Sequence, residues 1–372
     1  MTITFFSSVL NHHQYPFCEY MASQPDVIFH FVQMIPLNQE RIRQGFLSYQ
    51  TPYLVLASED REKAKRLCME SDVVIGGVIP QDWMNKRVAS GKLTFSYKER
   101  FFKSFRTMIS PRFWLDGMRN YFFYQNQNLY FLCASAYTAK DTALILPKPD
   151  KKRKWGYFPA IAHHSDIEEV LSQKKTNSIL WAGRFLAWKH PETAIRLAQM
   201  LKQHGYQFSM DMIGVGELRE KLSRRICAEH LEDCIHLQDA VPNEVLKKRM
   251  RETDVFLFTS DRNEGWGAVV NEAMSEGCVC LASKQAGCSK FLIKDGENGY
   301  ILDYDDTSAW FQKLSLLFDN REQMRRMQRN AWTTIETEWN ERIAGQRLIA
   351  FSRAILQNRE SEDFESGPMS RA

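Results

Sequence analysis

Short apolar runs rich in β-branched and aromatic residues recur along the whole chain, and longer polar or amphipathic stretches separate them. This alternation limits the fold more than any other feature. The runs fall at 3–9, 27–32, 53–57, 73–75, 129–134, 178–182, 208–213, 235–237, 255–259 and 279–282. Strand-length runs spaced by helical stretches specify βαβ units and mainly parallel sheets, an α/β fold. Between the later runs, 191–204 places Ala194, Leu197, Ala198 and Leu201 on one helical face, and 218–230 and 243–252 repeat that pattern. The second half is therefore the clearer doubly wound unit.

A length of 372 residues suggests two domains. The joint is expected within 147–175, where KPDKKRK, WGYFP and QKKTN precede a fresh strand. The expected domains are 1–173 and 174–335, with a helix over 336–357 packing back on the first domain and a disordered tail over 358–372. Lys151–Lys154 reads as a linker charge run, and His163 and His164 as surface residues near the joint.

With 44% hydrophobic and 25% charged residues, the composition is that of a globular chain. No apolar stretch approaches the roughly 18 residues needed to cross a bilayer. The opening MTITFFSSVLNHHQ lacks the basic start and small-residue cleavage site of a secretion signal, so the protein is expected in the cytosol. Eight scattered cysteines without a C-x-x-C pair read as reduced core thiols, with neither a zinc site nor a disulfide framework. The net charge of +4 is too small to imply nucleic acid, but its distribution is uneven: residues 86–155 hold 15 Lys and Arg against 4 Asp and Glu.

The most informative segment is DVFLFTSDRNEGWGAVVNEAMSEGCVCLAS, residues 254–283. It reads strand, polar loop, Gly-x-Gly turn, helix, strand, and ligands of open α/β sheets bind at the carboxyl ends of strands. Gly265 and Gly267 let the backbone approach a ligand closely. A helix opening near Ala268 and Val269 then presents amides and a positive dipole end, which suits a phosphate. Glu264 and Glu272 flank the turn. Eight helical residues separate Cα atoms by about 12 Å, beyond the roughly 5 to 9.5 Å of opposed glycosidase carboxylates. The pair is better suited to holding two hydroxyl-bearing parts of one elongated ligand.

A second segment, ILWAGRFLAWKHPETAIRLA, ends a strand at Gly183 and supplies Arg184 and Lys189 before Pro191 opens a helix. A planar guanidinium and an ammonium there would neutralise a diphosphate. A third loop, MIGVGEL, places Gly214 and Gly216 after another strand. Taken singly, each has a plainer reading as a tight turn, a solvated cation or a helix-start carboxylate.

In order, AGRF with its following Lys, IGVGELREKL, HLQDAVPNEVLKKRMRETDVFLFTS, EGWGAVVNEAMSEG and DGENGYIL resemble the C-terminal half of family 4 retaining glycosyltransferases of GT-B fold. The likeness runs over about 160 residues and centres on the E-x7-E element. More loosely, SSVLNHHQYPF, LTFSYKERFFK, YFLCASAYTAKD and KWGYFPAI resemble the branch that builds bacterial capsule or exopolysaccharide. The resemblance implies two Rossmann-like doubly wound domains facing a central cleft. It casts Arg184 and Lys189 as the cations of the nucleotide diphosphate, and Glu264 with the Gly265, Trp266 and Gly267 backbone as the donor-sugar contact. Glu272 becomes the ribose ligand, and Gly183, Gly214, Gly216, Ala268 and Val269 line the donor site. Trp266 stands where the family commonly has Phe. His12 and His13 occupy a loop that is often Gly-rich, and Glu99 or either histidine could stand in on the acceptor side.

The implied reaction moves a sugar from a nucleotide sugar, UDP-linked, to a saccharide or lipid-linked saccharide with retention of configuration. It uses no metal, no other cofactor and no protein nucleophile. Preorganised cations and helix-end amides would stabilise charge on the departing diphosphate. Open alternatives are a catalytically silent binding module and a sugar-nucleotide epimerase on the same architecture. Finally, the stretch from Lys98 to Trp114 interleaves Lys103, Arg106 and Arg112 with Phe101, Phe102, Phe105, Phe113 and Trp114. It reads either as a core helix with a solvated basic face or as a contact with the anionic inner face of the cell membrane. No nucleic-acid recognition module accompanies it.

Overall fold

The computed structural model describes residues 1–37, 48–103 and 105–372. They form two compact units, one made of residues 1–160 with 340–372 and the other of 161–339.

The first unit is built on a seven-stranded parallel sheet: β1 (Thr2–Ser7), β2 (Ile28–Gln33), β3 (Leu54–Leu56), β4 (Val73–Gly76), β5 (Leu93–Lys98), β6 (Leu129–Cys133) and β7 (Lys152–Lys154). Their order is β3-β2-β1-β4-β5-β6-β7. β1, β4 and β6 are buried along almost their whole length, as expected for strands covered on both faces. β5 escaped the sequence reading because Thr94 and Ser96 interrupt its apolar run, yet both are buried. The Thr94 hydroxyl accepts from Arg87 Nε at 3.0 Å. Arg87, itself fully buried, also donates to the carbonyls of Cys68, Ser71, Asp72 and Leu93 at 2.8–3.1 Å. One guanidinium thus ties the end of helix Arg61–Glu70 to the starts of β4 and β5.

Three expectations are corrected in this unit. The basic run 151–154 is not a solvated linker. It contains β7, in which Lys152 and Arg153 are buried, Lys152 Nζ donating to the Ala139 carbonyl at 2.8 Å and Arg153 pairing with Asp363 at 2.9 Å. Trp155 and Phe158 beyond it are core residues. The tail is not disordered: the Lys154 amide donates to the Ser370 carbonyl at 2.8 Å, and the Met369 and Ala372 amides donate to the carbonyls of Lys154 and Lys152. It pairs with the open side of an edge strand, which removes an exposed ladder. Nor is the last helix continuous from the preceding stretch. One helix ends at Thr337, and Asn340 caps the next, Glu341–Leu356, by accepting from the Ile343 amide at 2.9 Å.

The second unit carries β8 (Ser178–Ala182), β9 (Ser209–Ile213), β10 (Ile235–Gln238), β11 (Val255–Phe258), β12 (Val279–Ser283) and β13 (Gly299–Leu302). The order is β10-β9-β8-β11-β12-β13, every pairing parallel. Helix Pro191–Gln203 buries Ala194, Leu197, Ala198 and Leu201, the face expected from sequence. Buried charges are satisfied here too. Asp254 receives a two-pronged contact from Arg321 together with Gln328 Nε2 and the Asn177 amide. Lys174, expected in a polar linker, is buried and donates to the carbonyls of Met250, Thr253 and Glu276 at 2.6–3.0 Å. His164 is likewise no plain surface residue. Its Nε2 lies 2.8 Å from a carboxylate oxygen of buried Glu276, which also receives Arg251 at 3.0 Å.

All eight cysteines are free thiols, and Cys278 and Cys280 are buried at the start of β12. Among the described residues no helix is long and apolar enough to cross a membrane.

Candidate functional site

In the second unit the chain runs outward through β8, β9 and β10, returns to β11 beside β8, and continues the other way. The crevice at the carboxyl ends of β8 and β11 is therefore the topological switch point, the place where open α/β sheets bind ligands. The loops after these two strands are fastened together. Thr259 Oγ1 donates to the Lys189 carbonyl at 2.6 Å and accepts from Trp181 Nε1 at 2.9 Å, while the Asp261 amide donates to the Trp188 carbonyl at 2.9 Å. His190, in the left-handed region at φ 48°, places its ring nitrogens near Glu192 and Asp261. Those ties bring Lys189 and Glu264, 75 positions apart in sequence, into a direct ion pair with both side chains mostly buried. Lys189 Nζ also lies 4.5 Å from the centroid of the Trp188 ring.

Arg184 is exposed on the same loop as Lys189. Gly214 packs so closely that a Cβ there would fall 1.8 Å from the Gly183 carbonyl oxygen, and one on Gly216 would fall 2.5 Å from that of Phe185. Gly183 itself shows no such close approach beyond its Trp181 neighbour. These contacts draw the β9 loop against the β8 loop. Gly267 adopts φ 103° as the cap of helix Ala268–Ser275, where a Cβ would strike the Phe258 ring at 2.4 Å. The first amides of that helix, at Ala268 and Val269, belong to the turn that has no intrahelical acceptors and suits an anion.

Gly265 and Trp266 are buried, and the Trp266 ring is a core element. Its Nε1 donates to Asn271 Oδ1 at 2.9 Å, and the ring packs beside Phe291 and Trp339. Only its backbone is left for a ligand. Glu272, one turn into the helix, is buried, and burial pushes its carboxyl up from 4.5 to about 7 against the opposing pull of the Asn243 amide and Lys247. Asn243 Nδ2 donates to Glu272 Oε1 at 3.3 Å. Sequence reasoning missed Asn243, Thr259 and Asp261. Asn243 had the one usable signal, its place at the start of a helix following a strand.

The three residues expected on the acceptor side lie together in the first unit, around a residue the reading passed over, Tyr157. The His12 and His13 rings lie 3.7 Å apart, His13 stacks on Tyr157 at 5.7 Å, and the Tyr157 hydroxyl donates to Glu99 Oε1 at 2.5 Å. Burial, then the neighbouring His12, pushes the His13 imidazole down to about 3, so it stays neutral at physiological pH. Lys103 Nζ reaches the other Glu99 oxygen at 3.1 Å. These groups sit on loops after β1, β5 and β7, also at strand carboxyl ends. Among the described residues no group of three or more His, Cys, Asp and Glu is arranged to hold a metal ion.

Residues 164–333 match the family described as glycosyl transferases group 1. A curated relative, the amylovoran biosynthesis glycosyltransferase AmsK of Erwinia amylovora, is 30% identical over 175 residues, 46% of this chain and 43% of AmsK. The matched stretch thus spans less than half the length of that relative. Two solved structures follow nearly the whole chain. The lipopolysaccharide outer core galactosyltransferase WaaB aligns with TM-score 0.67 at 16% identity, covering 96% of this chain and all of that one. Anabaena HepE in complex with UDP aligns with TM-score 0.66 at 13% identity, covering 94% and 98%. The two parallel-sheet Rossmann-like units are those of the GT-B fold. The chain carries a glycosyl transferases group 1 domain over residues 164–333, within its second unit.

Proposed function

We propose that the protein is a retaining glycosyltransferase of family 4 that moves a sugar from a UDP-sugar to a saccharide or lipid-linked saccharide acceptor in polysaccharide assembly. The reading rests on the Lys189–Glu264 pair at the switch point of the second sheet. A mostly buried ion pair at a ligand crevice, beside a glycine-capped helix start, is a preorganised exchange site. An incoming diphosphate takes Lys189 and Arg184, and the donor sugar's hydroxyls take Glu264. Glu272 receives the ribose hydroxyls, and the backbone at Gly267, Ala268 and Val269 meets the phosphates. As the sugar–phosphate bond breaks, charge grows on the diphosphate, where the two cations and the helix-end amides stabilise it. No metal or protein nucleophile is required in this scheme. Removing one such preorganised donor typically costs about 100- to 1000-fold in rate. Support also comes from HepE, solved with UDP, and from AmsK, named for amylovoran biosynthesis. The cluster of His12, His13, Glu99 and Tyr157 is assigned to the acceptor.

The test is a screen of UDP- and GDP-sugars by thermal shift, followed by UDP release and the anomeric proton signal of any product. UDP and its sugars should raise the transition, in proportion to occupancy. Lys189→Ala and Glu264→Ala should each lower UDP release by at least about 100-fold. A chain whose transition ignores every nucleotide sugar overturns the reading, and an inverted product overturns retention.

A further inference from the structure

Twelve large apolar side chains stand exposed among the described residues, and four of them fall within sixteen consecutive positions: Met108 (41%), Ile109 (59%), Leu115 (70%) and Phe123 (74%). These are not the rings that the sequence singles out. Phe101, Phe102, Phe113 and Trp114 pack edge-on or tilted against one another at 5.1–5.7 Å and are half-buried. Ser104 and the Phe105 side chain lie outside the described residues. The aromatic interleaving thus fills a small core beneath helix Pro111–Asn120, and its partners turn different residues outward.

Geometry defines that outer surface. Ser110 caps the helix, its Oγ accepting from the Phe113 amide at 3.4 Å. Positions three, four and seven apart share one helical face, so Arg112, Leu115, Asp116 and Arg119 line up, and all four are exposed. On the inward side Gly117 lies against Ile145, so close that a Cβ would meet it at 2.5 Å. Trp114 Nε1 donates to the Met108 carbonyl at 2.8 Å, which holds Met108 and Ile109 against the first turn. Phe123 follows the last turn in the short helix Phe122–Tyr124. Arg106, also exposed, extends the basic rim. Asp116, 3.8 Å from Arg112, is the acidic group on this helix face, so the exposed set keeps an excess of positive charge.

We propose that this face, carried by Met108, Ile109, Leu115 and Phe123 within a rim of Arg106, Arg112 and Arg119, docks onto a lipid bilayer with anionic headgroups. Exposed apolar side chains at 108, 109, 115 and 123, interspersed along the segment with exposed arginines at 106, 112 and 119, match the layering of a membrane interface. The aliphatic and aromatic groups enter the acyl boundary, and the guanidinium groups stay at the depth of the phosphates. A protein partner of ordinary size calls instead for a core depleted of charge. The inference does not depend on the transfer reaction, and its test reads binding alone.

The full chain is sedimented with phosphatidylcholine vesicles, with and without phosphatidylglycerol. The expected result is binding to the anionic vesicles that weakens as salt is raised, and little binding to the neutral ones. Arg112→Gln with Arg119→Gln should reduce partitioning about 25-fold, from roughly fivefold per cation near a charged surface. Leu115→Ser with Phe123→Ser should reduce it at least about tenfold. Ile28→Ser, at an exposed site elsewhere on the same unit, should leave it unchanged. Thermal transitions matching the parent chain show that the variants fold. Absence of binding at low salt, or variants that partition like the parent, overturns the proposal. So does a concentration-dependent dimer that Leu115→Ser dissolves without any vesicle binding.

Discussion

Glu272 is ionisable, buried and bonded to a single neutral amide, so its charge should cost the protein stability until a ligand arrives. Burial raises its carboxyl from 4.5 to about 7, so between these values the folded chain holds a proton that the unfolded chain has released. Folding stability therefore falls as pH rises through that window, in the direction opposite to a salt-bridged carboxylate. Integrated between pH 5 and pH 8, the loss is about 2–3 kcal/mol, most of its full extent of about 3 kcal/mol. Glu272→Gln keeps the shape and the oxygen facing Asn243 but cannot ionise. The quantity to measure is the stability of the variant minus that of the parent, by denaturant titration at pH 5 and pH 8, so that every other titrating group cancels. That difference should move toward the variant by about 2–3 kcal/mol on going to pH 8. For a unit of this size the shift corresponds to roughly 5–10 °C in its thermal transition.

A difference that stays the same within about 0.5 kcal/mol at both pH values refutes the account of Glu272 as a destabilised carboxylate. The same argument reaches function. On the proposed role of Glu272, ribose hydroxyls donating to it would favour its ionised form, so UDP binding near pH 6.5 should release most of one proton. Titration calorimetry in buffers of different ionisation enthalpy reads that release directly. The Gln variant should release none at this site and should bind UDP more weakly.

Three further outcomes follow from the packing. Arg87→Ala leaves four backbone carbonyls and the Thr94 hydroxyl without their donor, and should destabilise the first unit by more than about 4 kcal/mol, with Arg87→Lys recovering only part; a variant unfolding within 1 kcal/mol of the parent contradicts the tie. Gly214→Ala must move the β8 loop, because its Cβ meets the Gly183 oxygen; nucleotide binding should drop at least about tenfold while circular dichroism stays unchanged, and normal binding contradicts the cradle. Removing residues 363–372 opens the edge of β7 and strips Arg153 of Asp363, which should cost about 1–3 kcal/mol in a denaturant titration and raise aggregation on heating.

The second unit was legible because its strands are buried on both faces and read as unbroken apolar runs, as at Val255–Phe258 and Val279–Ser283. Its site loops were legible because a close backbone approach leaves glycine as its trace, at Gly214, Gly216 and Gly267. What stayed hidden shares one cause. Arg87, Lys152, Lys174 and Glu276 are charged residues that sequence logic sends to water, and each is buried with polar partners supplied by neighbouring elements of the fold. For the three cations those partners include backbone carbonyls, which every residue type carries, so no composition or spacing marks them. The same blindness runs the other way at the Lys98 to Trp114 stretch. There the rings that look destined for a surface satisfy one another, while Leu115 and Phe123, ordinary in sequence, are left in water. Whether a side chain finds a partner in the fold, not its type, decides what a fold leaves exposed. The apolar residues it leaves exposed are thus better guides to a partner than the residues that look most reactive in the sequence.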